Sequence, residues 1–168
     1  HVNMEIKFDI ERFLEGSGRI DLSDIDWDDV PNYHLTPEAI RTVRYFMVTE
    51  SATFYYLKAL MATKTAQSVP EFAPFLCAWA YEEEFHGRAF AQFMRAYGEP
   101  IDQSYRQSMY TNRTLGERFD ETTAAMASFL APDDFPATHM VWGAIQELTT
   151  YTAYKALIQR TDHPVLKV

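Results

Sequence analysis

Between Phe72 and Tyr97 the apolar side chains recur at three- and four-residue spacing, the period of one helix face: Phe72, Phe75, Leu76, Trp79, Phe90, Phe93 and Tyr97. Glu83 and His86 fall on the same stripe, one turn apart and able to reach a common point. Glu82 and Glu84 lie about 100° to either side of Glu83 and read as partly exposed acids. An ionised carboxylate buried without a partner costs several kcal/mol even after relaxation. A chain built on this stripe must therefore offer a cation, or another polar group, wherever the stripe packs.

Two further segments repeat the problem. Thr36-Pro37-Glu38 is a helix start, with an N-cap threonine, proline at the first helical position and an acid in the first turn. The helix it opens is predicted to run to about Thr65, with a face of Val43, Phe46, Met47, Glu50, Phe54, Leu57 and Met61. Another helix is predicted from about Pro136 to Arg160, with Met140, Ala144, Glu147, Leu148, Tyr151, Tyr154 and Ile158 on one side. The helix bearing Glu83 starts near Glu71 and stops at Gly98 and Pro100. A fourth helical segment, Asp102–Leu130, carries Leu115, Phe119, Met126 and Phe129, with Glu117 and Glu121 off its stripe. Neither β alternation of useful length nor an internal repeat is present.

These patterns make an all-α chain with a bundle-like domain over residues 36–168. Ahead of it, residues 1–35 form an arm with a short helical pattern at Glu5–Glu15. An acidic loop with Asp24, Asp26, Asp28 and Asp29 follows. The loop reads as a solvated segment, since the spacing is not that of an EF-hand.

At 168 residues the chain suits one domain with a sizeable core. Hydrophobic residues at 47% place it among globular rather than disordered chains. The net charge of −9 argues against non-specific nucleic-acid binding and against docking on an anionic bilayer. No apolar run is long enough to span a membrane and no signal-peptide pattern opens the chain, so a cytoplasmic protein is expected. The single cysteine, Cys77, fits a reducing compartment and reads as a small core residue. His34, His139 and His163 fall in a loop or at helix ends, where capping or solvent exposure is expected.

Three helices thus each project a glutamate inward, and one adds a histidine at i+3. Any one of these glutamates could sit at a helix end or make a buried hydrogen bond, and a lone Glu-x-x-His arises by chance. Together they would repel one another unless protonated or neutralised, and Arg and Lys lie mostly on the polar faces. A divalent metal resolves the conflict, and oxygen with imidazole ligands suits iron or manganese. Glutamates from neighbouring helices around a Glu-x-x-His are the ligand pattern of ferritin-like dimetal carboxylate bundles.

At these residues the chain resembles the soluble acyl-carrier-protein desaturases, a family of the ferritin-like diiron carboxylate superfamily. Ala78–Gly87, "AWAYEEEFHG", resembles that family's Glu-Glu-x-x-His-Gly ligand helix. "MVTESA" around Glu50 is similar to its first ligand helix, "IQELTTYTAY" to its third, and "RTDHPVLKV" to the link into its last. The resemblance implies Glu50 as a terminal ligand of one iron and Glu83 as a bridge between two. It also implies His86 as a ligand of the first iron, Glu147 as a terminal ligand of the second, and Thr150 beside the oxygen-binding face. It further implies O₂-dependent desaturation of a carrier-bound acyl chain, with an acyl-carrier protein and a ferredoxin-like electron donor as partners. Hydroxylation or N-oxygenation on the same scaffold, and a non-catalytic metal-binding bundle, are the alternatives; a homodimer is compatible with either.

Two departures stand out. The family's second Glu-x-x-His follows the "DHPVLKV" link, whereas this sequence ends at Val168. The expectation is that the native chain continues, that another chain supplies the ligands, or that the site is incomplete. An acidic carrier also calls for a basic patch, for which Arg41, Arg44 and Lys58 are the candidates.

Overall fold

The computed structural model describes residues 9–102, 105 and 134–167, and every regular element among them is helical. α1 covers Ile10–Gly16, opened by Asp9, whose Oδ1 accepts the Arg12 N–H at 3.1 Å. A loop and a short 3₁₀ turn at Val30–Asn32 lead to α2, Pro37–Ser51. Thr36 caps α2 as expected, its Oγ1 accepting the Ala39 N–H at 3.2 Å. In the acidic loop, Asp21, Asp26 and Asp29 spend carboxylate oxygens on Ser23 N–H, Asp28 N–H and the Asn32 amide, which folds the loop on itself.

The single helix predicted from Pro37 to Thr65 is instead three: α2, α3 at Thr53–Met61 and α4 at Lys64–Ser68. The physical reason is local competition for backbone carbonyls. Thr53 Oγ1 donates to the Glu50 carbonyl at 3.1 Å, while Ala52 N–H takes the Thr49 carbonyl three residues back at 3.0 Å. One register later, Thr63 Oγ1 donates to the Leu60 carbonyl at 2.7 Å and accepts the Ala66 N–H that opens α4. Hydroxyls thus interrupt a pattern whose apolar period alone reads as continuous.

α5, Phe72–Ala96, matches its expected span. Gly98 ends it with φ +91°, a left-handed conformation that Cβ-bearing residues resist, and Glu99 N–H reaches back to the Met94 carbonyl at 2.9 Å. α2 lies antiparallel against α5. Leu35 N–H donates to Tyr97 Oη at 2.9 Å, the Phe46 and Phe90 rings stand 5.6 Å apart, and Ser51 meets Gly87. Val30, Leu35, Ala39, Val43, Phe46, Phe93, Met94 and Leu157 form the buried core between them. α1 lies across α5 through Phe13 and Phe75, 5.0 Å apart.

The last long helix, α6 at Asp134–Arg160, closes the other side of the core and is followed by a 3₁₀ turn at Pro164–Lys167. Its packed face is Ala153, Tyr154 and Leu157, whereas Leu148, Tyr151 and Ile158 are 66%, 55% and 40% exposed. The inward face is therefore turned by roughly one residue, about 100°, from the predicted stripe. The cause lies in the sequence: apolar or aromatic residues surround this helix on most sides, so periodicity does not fix its phase. Cys77 is exposed rather than in the core. His163 is the opposite case, 1% exposed, with Nε2 3.0 Å from the Val30 carbonyl and its ring edge-on to Phe93. The expected helix at Asp102–Leu130 lies, but for Asp102 and Tyr105, outside the described residues, as do the first residues of the arm's helical pattern and the side chains of His139 and Met140. No helix among the described residues is long and apolar enough to cross a membrane.

Candidate metal centre

Antiparallel packing of α2 on α5 sets Glu50 opposite the Glu83–His86 turn. Glu50 and Glu83 are each 7% exposed, and one ligand atom from each of Glu50, Glu83 and His86 lies within 4.8 Å of the others. His86 Nδ1 stands 3.5 Å from Glu83 Oε2 and 3.8 Å from Glu50 Oε2. Such a group can hold a metal ion, and among the described residues no other cluster does so. The two helices meet this closely because Gly87 follows His86 and leaves room for Ser51.

Charge in the cluster is divided unequally. Burial pushes the Glu50 carboxyl upward, but His86, Glu83 and the Tyr154 hydroxyl outweigh it and hold the group below the usual range. Burial pushes Glu83 up to about 8, against the pull of His86 and with the charges of Glu50 and Glu147 adding to the rise. The carboxylates of Glu50 and Glu83 hold the His86 proton and raise it to about 10. In the metal-free cluster the shifts favour negative charge on Glu50 and retained protons on Glu83 and His86. Two protons stand where a divalent cation would balance the same donors, so two carboxylates and an imidazole fit a hard or borderline ion.

The remaining sequence candidates sit apart from this group. Glu147 is exposed on α6 and accepts the Trp79 Nε1–H at 3.3 Å, near enough to influence Glu83 but outside the three-residue cluster. Thr150 is half-buried on α6, one turn further on. The flanking acids point away from the cluster, half-buried rather than fully exposed, and each is partnered elsewhere. Glu82 Oε1 accepts Ser17 Oγ–H at 2.7 Å and Gly18 N–H at 3.1 Å, tying the arm to α5. Glu84 pairs with Arg88 at 2.7 Å.

Two partners of the site were not assigned roles by sequence reasoning. Tyr154 donates its hydroxyl to Glu50 Oε1, and Trp79 holds Glu147. Spacing was the available signal: Tyr154 lies two turns beyond Glu147 on the same side of α6. The basic residues proposed for a carrier patch are partly neutralised, since Arg41 pairs with Glu38 at 2.7 Å and Arg44 with Glu99 at 2.6 Å. No known family model, curated protein or solved structure matches the chain.

Proposed function

We propose that the chain is an O₂-dependent diiron oxidoreductase acting on an acyl chain, with desaturation of a carrier-bound fatty acyl group as its leading activity, on a ferritin-like helical bundle. The observation that carries this reading is the buried Glu50–Glu83–His86 group on two antiparallel helices. Iron held by these donors supplies the redox chemistry that activates O₂. Glu50 and Glu83 bring the negative charge that holds the ion, and His86 binds it through nitrogen once its proton leaves. Glu147, which accepts a hydrogen bond from Trp79, is the candidate for a further carboxylate. Phe46 and Phe90 pack against Tyr154 on one side of the site. The acyl-carrier protein and a ferredoxin-like donor follow from the sequence resemblance.

The test is anaerobic loading with Fe²⁺, followed by O₂ uptake and mass spectrometry of an acyl-carrier substrate with a reduced ferredoxin supplied. Loss of two hydrogens per acyl chain marks desaturation, and gain of one oxygen marks hydroxylation. Protein that binds iron but leaves O₂ unconsumed sinks the enzyme reading.

A second reading rests on Glu147 being exposed and held by Trp79. Three donors without it suit one ion, in a non-catalytic metal-stabilised bundle. Two iron atoms per chain favour the first reading; one ion with no O₂ reactivity favours the second.

A further inference from the structure

The two oxygens of Glu50 face different partners. Oε2 is directed to His86 Nδ1, 3.8 Å away, while Oε1 accepts the hydroxyl of Tyr154. Tyr154 comes from α6, a helix that holds none of the three clustered residues. Its ring is fixed from two sides, edge-on to Phe46 at 4.4 Å between centroids and tilted against Phe90 at 5.7 Å. Those phenylalanines come from α2 and α5, the helices that carry the candidate ligands. The phenol is thus set by the same packing that brings Glu50 to His86.

A carboxylate with free rotation can bind an ion through one oxygen or both. A phenol O–H clamped on one oxygen reduces that oxygen's capacity and fixes the plane of the group. We propose that Tyr154 is a positioning residue for the metal site: by holding Glu50 Oε1 it aims Oε2 at the point shared with His86 and Glu83, so that Glu50 binds through a single oxygen. This rests on the reading of Glu50, Glu83 and His86 as metal ligands. Groups that orient a ligand in this way typically change metal affinity about 10- to 100-fold when removed.

The test compares wild type with Tyr154→Phe, which keeps the ring and deletes the hydroxyl. Co²⁺ serves as the probe, its affinity measured by calorimetry and its coordination by visible absorption, alongside thermal unfolding of the metal-free proteins. The expected result is a folded variant that binds Co²⁺ about 10- to 100-fold more weakly, with a visible band altered in position or intensity. A variant with wild-type affinity and spectrum, changed only in thermal stability, makes Tyr154 a structural residue and overturns the proposal. Wild-type protein that binds no Co²⁺ overturns the metal reading itself, and this one with it.

Should Tyr154→Phe fail to fold, wild type labelled with 3-fluorotyrosine decides. A fluorine resonance that shifts in step with Zn²⁺ supports the contact, and a spectrum that Zn²⁺ leaves unchanged overturns it.

Discussion

Ser51 of α2 lies directly against the backbone of Gly87 in α5. A Cβ placed on Gly87 would come within 3.1 Å of the Ser51 nitrogen and 3.3 Å of its Cα, and would overlap its hydroxyl. This close approach sits one residue from both Glu50 and His86, so it governs how near those side chains come. Gly87→Ala gains about 0.5–1 kcal/mol of helix propensity, against an overpacking cost of about 1–3 kcal/mol. The expected outcome is a loss of about 1–2 kcal/mol in urea denaturation, together with weakened Zn²⁺ binding. Ser51 Oγ is buried and meets no hydrogen-bond partner among the described residues, so Ser51→Ala should be neutral or stabilising and should partly rescue Gly87→Ala. Wild-type Zn²⁺ affinity in Gly87→Ala alone would show that helix spacing here does not set the site.

What the sequence made legible follows from what helical period can carry. Glu50, Glu83 and His86 lie on stripes with one clear apolar side, and those three are the residues that converge. Glu147 lies on a helix with apolar residues on most sides, where Leu148, Tyr151 and Ile158 compete with Ala153, Tyr154 and Leu157 to define the inward face. Its phase is set by tertiary packing, and its carboxylate ends at Trp79. The break after Glu50 was similarly hidden, because it depends on which carbonyl the Thr53 hydroxyl takes. Gly98 and Thr36, whose effects are local, were readable from sequence alone.

Metal binding should strengthen as pH rises. Glu83 is raised to about 8 and His86 to about 10, so near neutrality both protons must leave before their atoms can coordinate. Zn²⁺ affinity should climb between about pH 6 and 8 by up to a hundredfold per pH unit, less as Glu83 loses its proton. Calorimetry in buffers of different ionisation enthalpy should count close to two protons released at pH 7. Release of none would mean that the cluster is already deprotonated.

The metal-free protein should respond to pH in the opposite sense. Glu83 and His86 both bind protons more tightly folded than unfolded, from ordinary values of 4.5 and 6.5. Their contribution is fully present below those values and is lost as pH rises to about 8 and about 10 respectively. Glu50, whose pKa is lowered, acts at the acid end, and its contribution is lost as pH falls through its folded value. Urea midpoints in the presence of a chelator should therefore decline from pH 6 to 10. A flat profile over that range would remove the proton-filled cluster.

Glu83→Gln separates stability from binding. The amide keeps the shape of the side chain, and it replaces a group that burial already keeps protonated near neutrality. The metal-free variant should unfold within about 1 kcal/mol of wild type, or later. Its Zn²⁺ affinity should fall at least about tenfold, because the bound carboxylate is gone. Undiminished Zn²⁺ affinity in a folded Glu83→Gln protein would exclude Glu83 as a ligand.

His163 offers a control far from the ligands. Its ring is 1% exposed, stacks edge-on to Phe93 at 4.9 Å, lies 5.3 Å from Tyr33, and reaches the Val30 carbonyl at 3.0 Å. It therefore joins the loop before α2, the end of α5 and the segment after α6 through one side chain. His163→Ala leaves a cavity and removes the ring's contact with the Val30 carbonyl, which together cost about 2–4 kcal/mol. Chemical denaturation should register that loss, while Zn²⁺ affinity of the folded fraction stays near wild type because the Glu50–Glu83–His86 group does not include it. A variant with wild-type stability would show that His163 does not join these three segments, and one that fully lost Zn²⁺ binding while remaining folded would tie it to the metal centre.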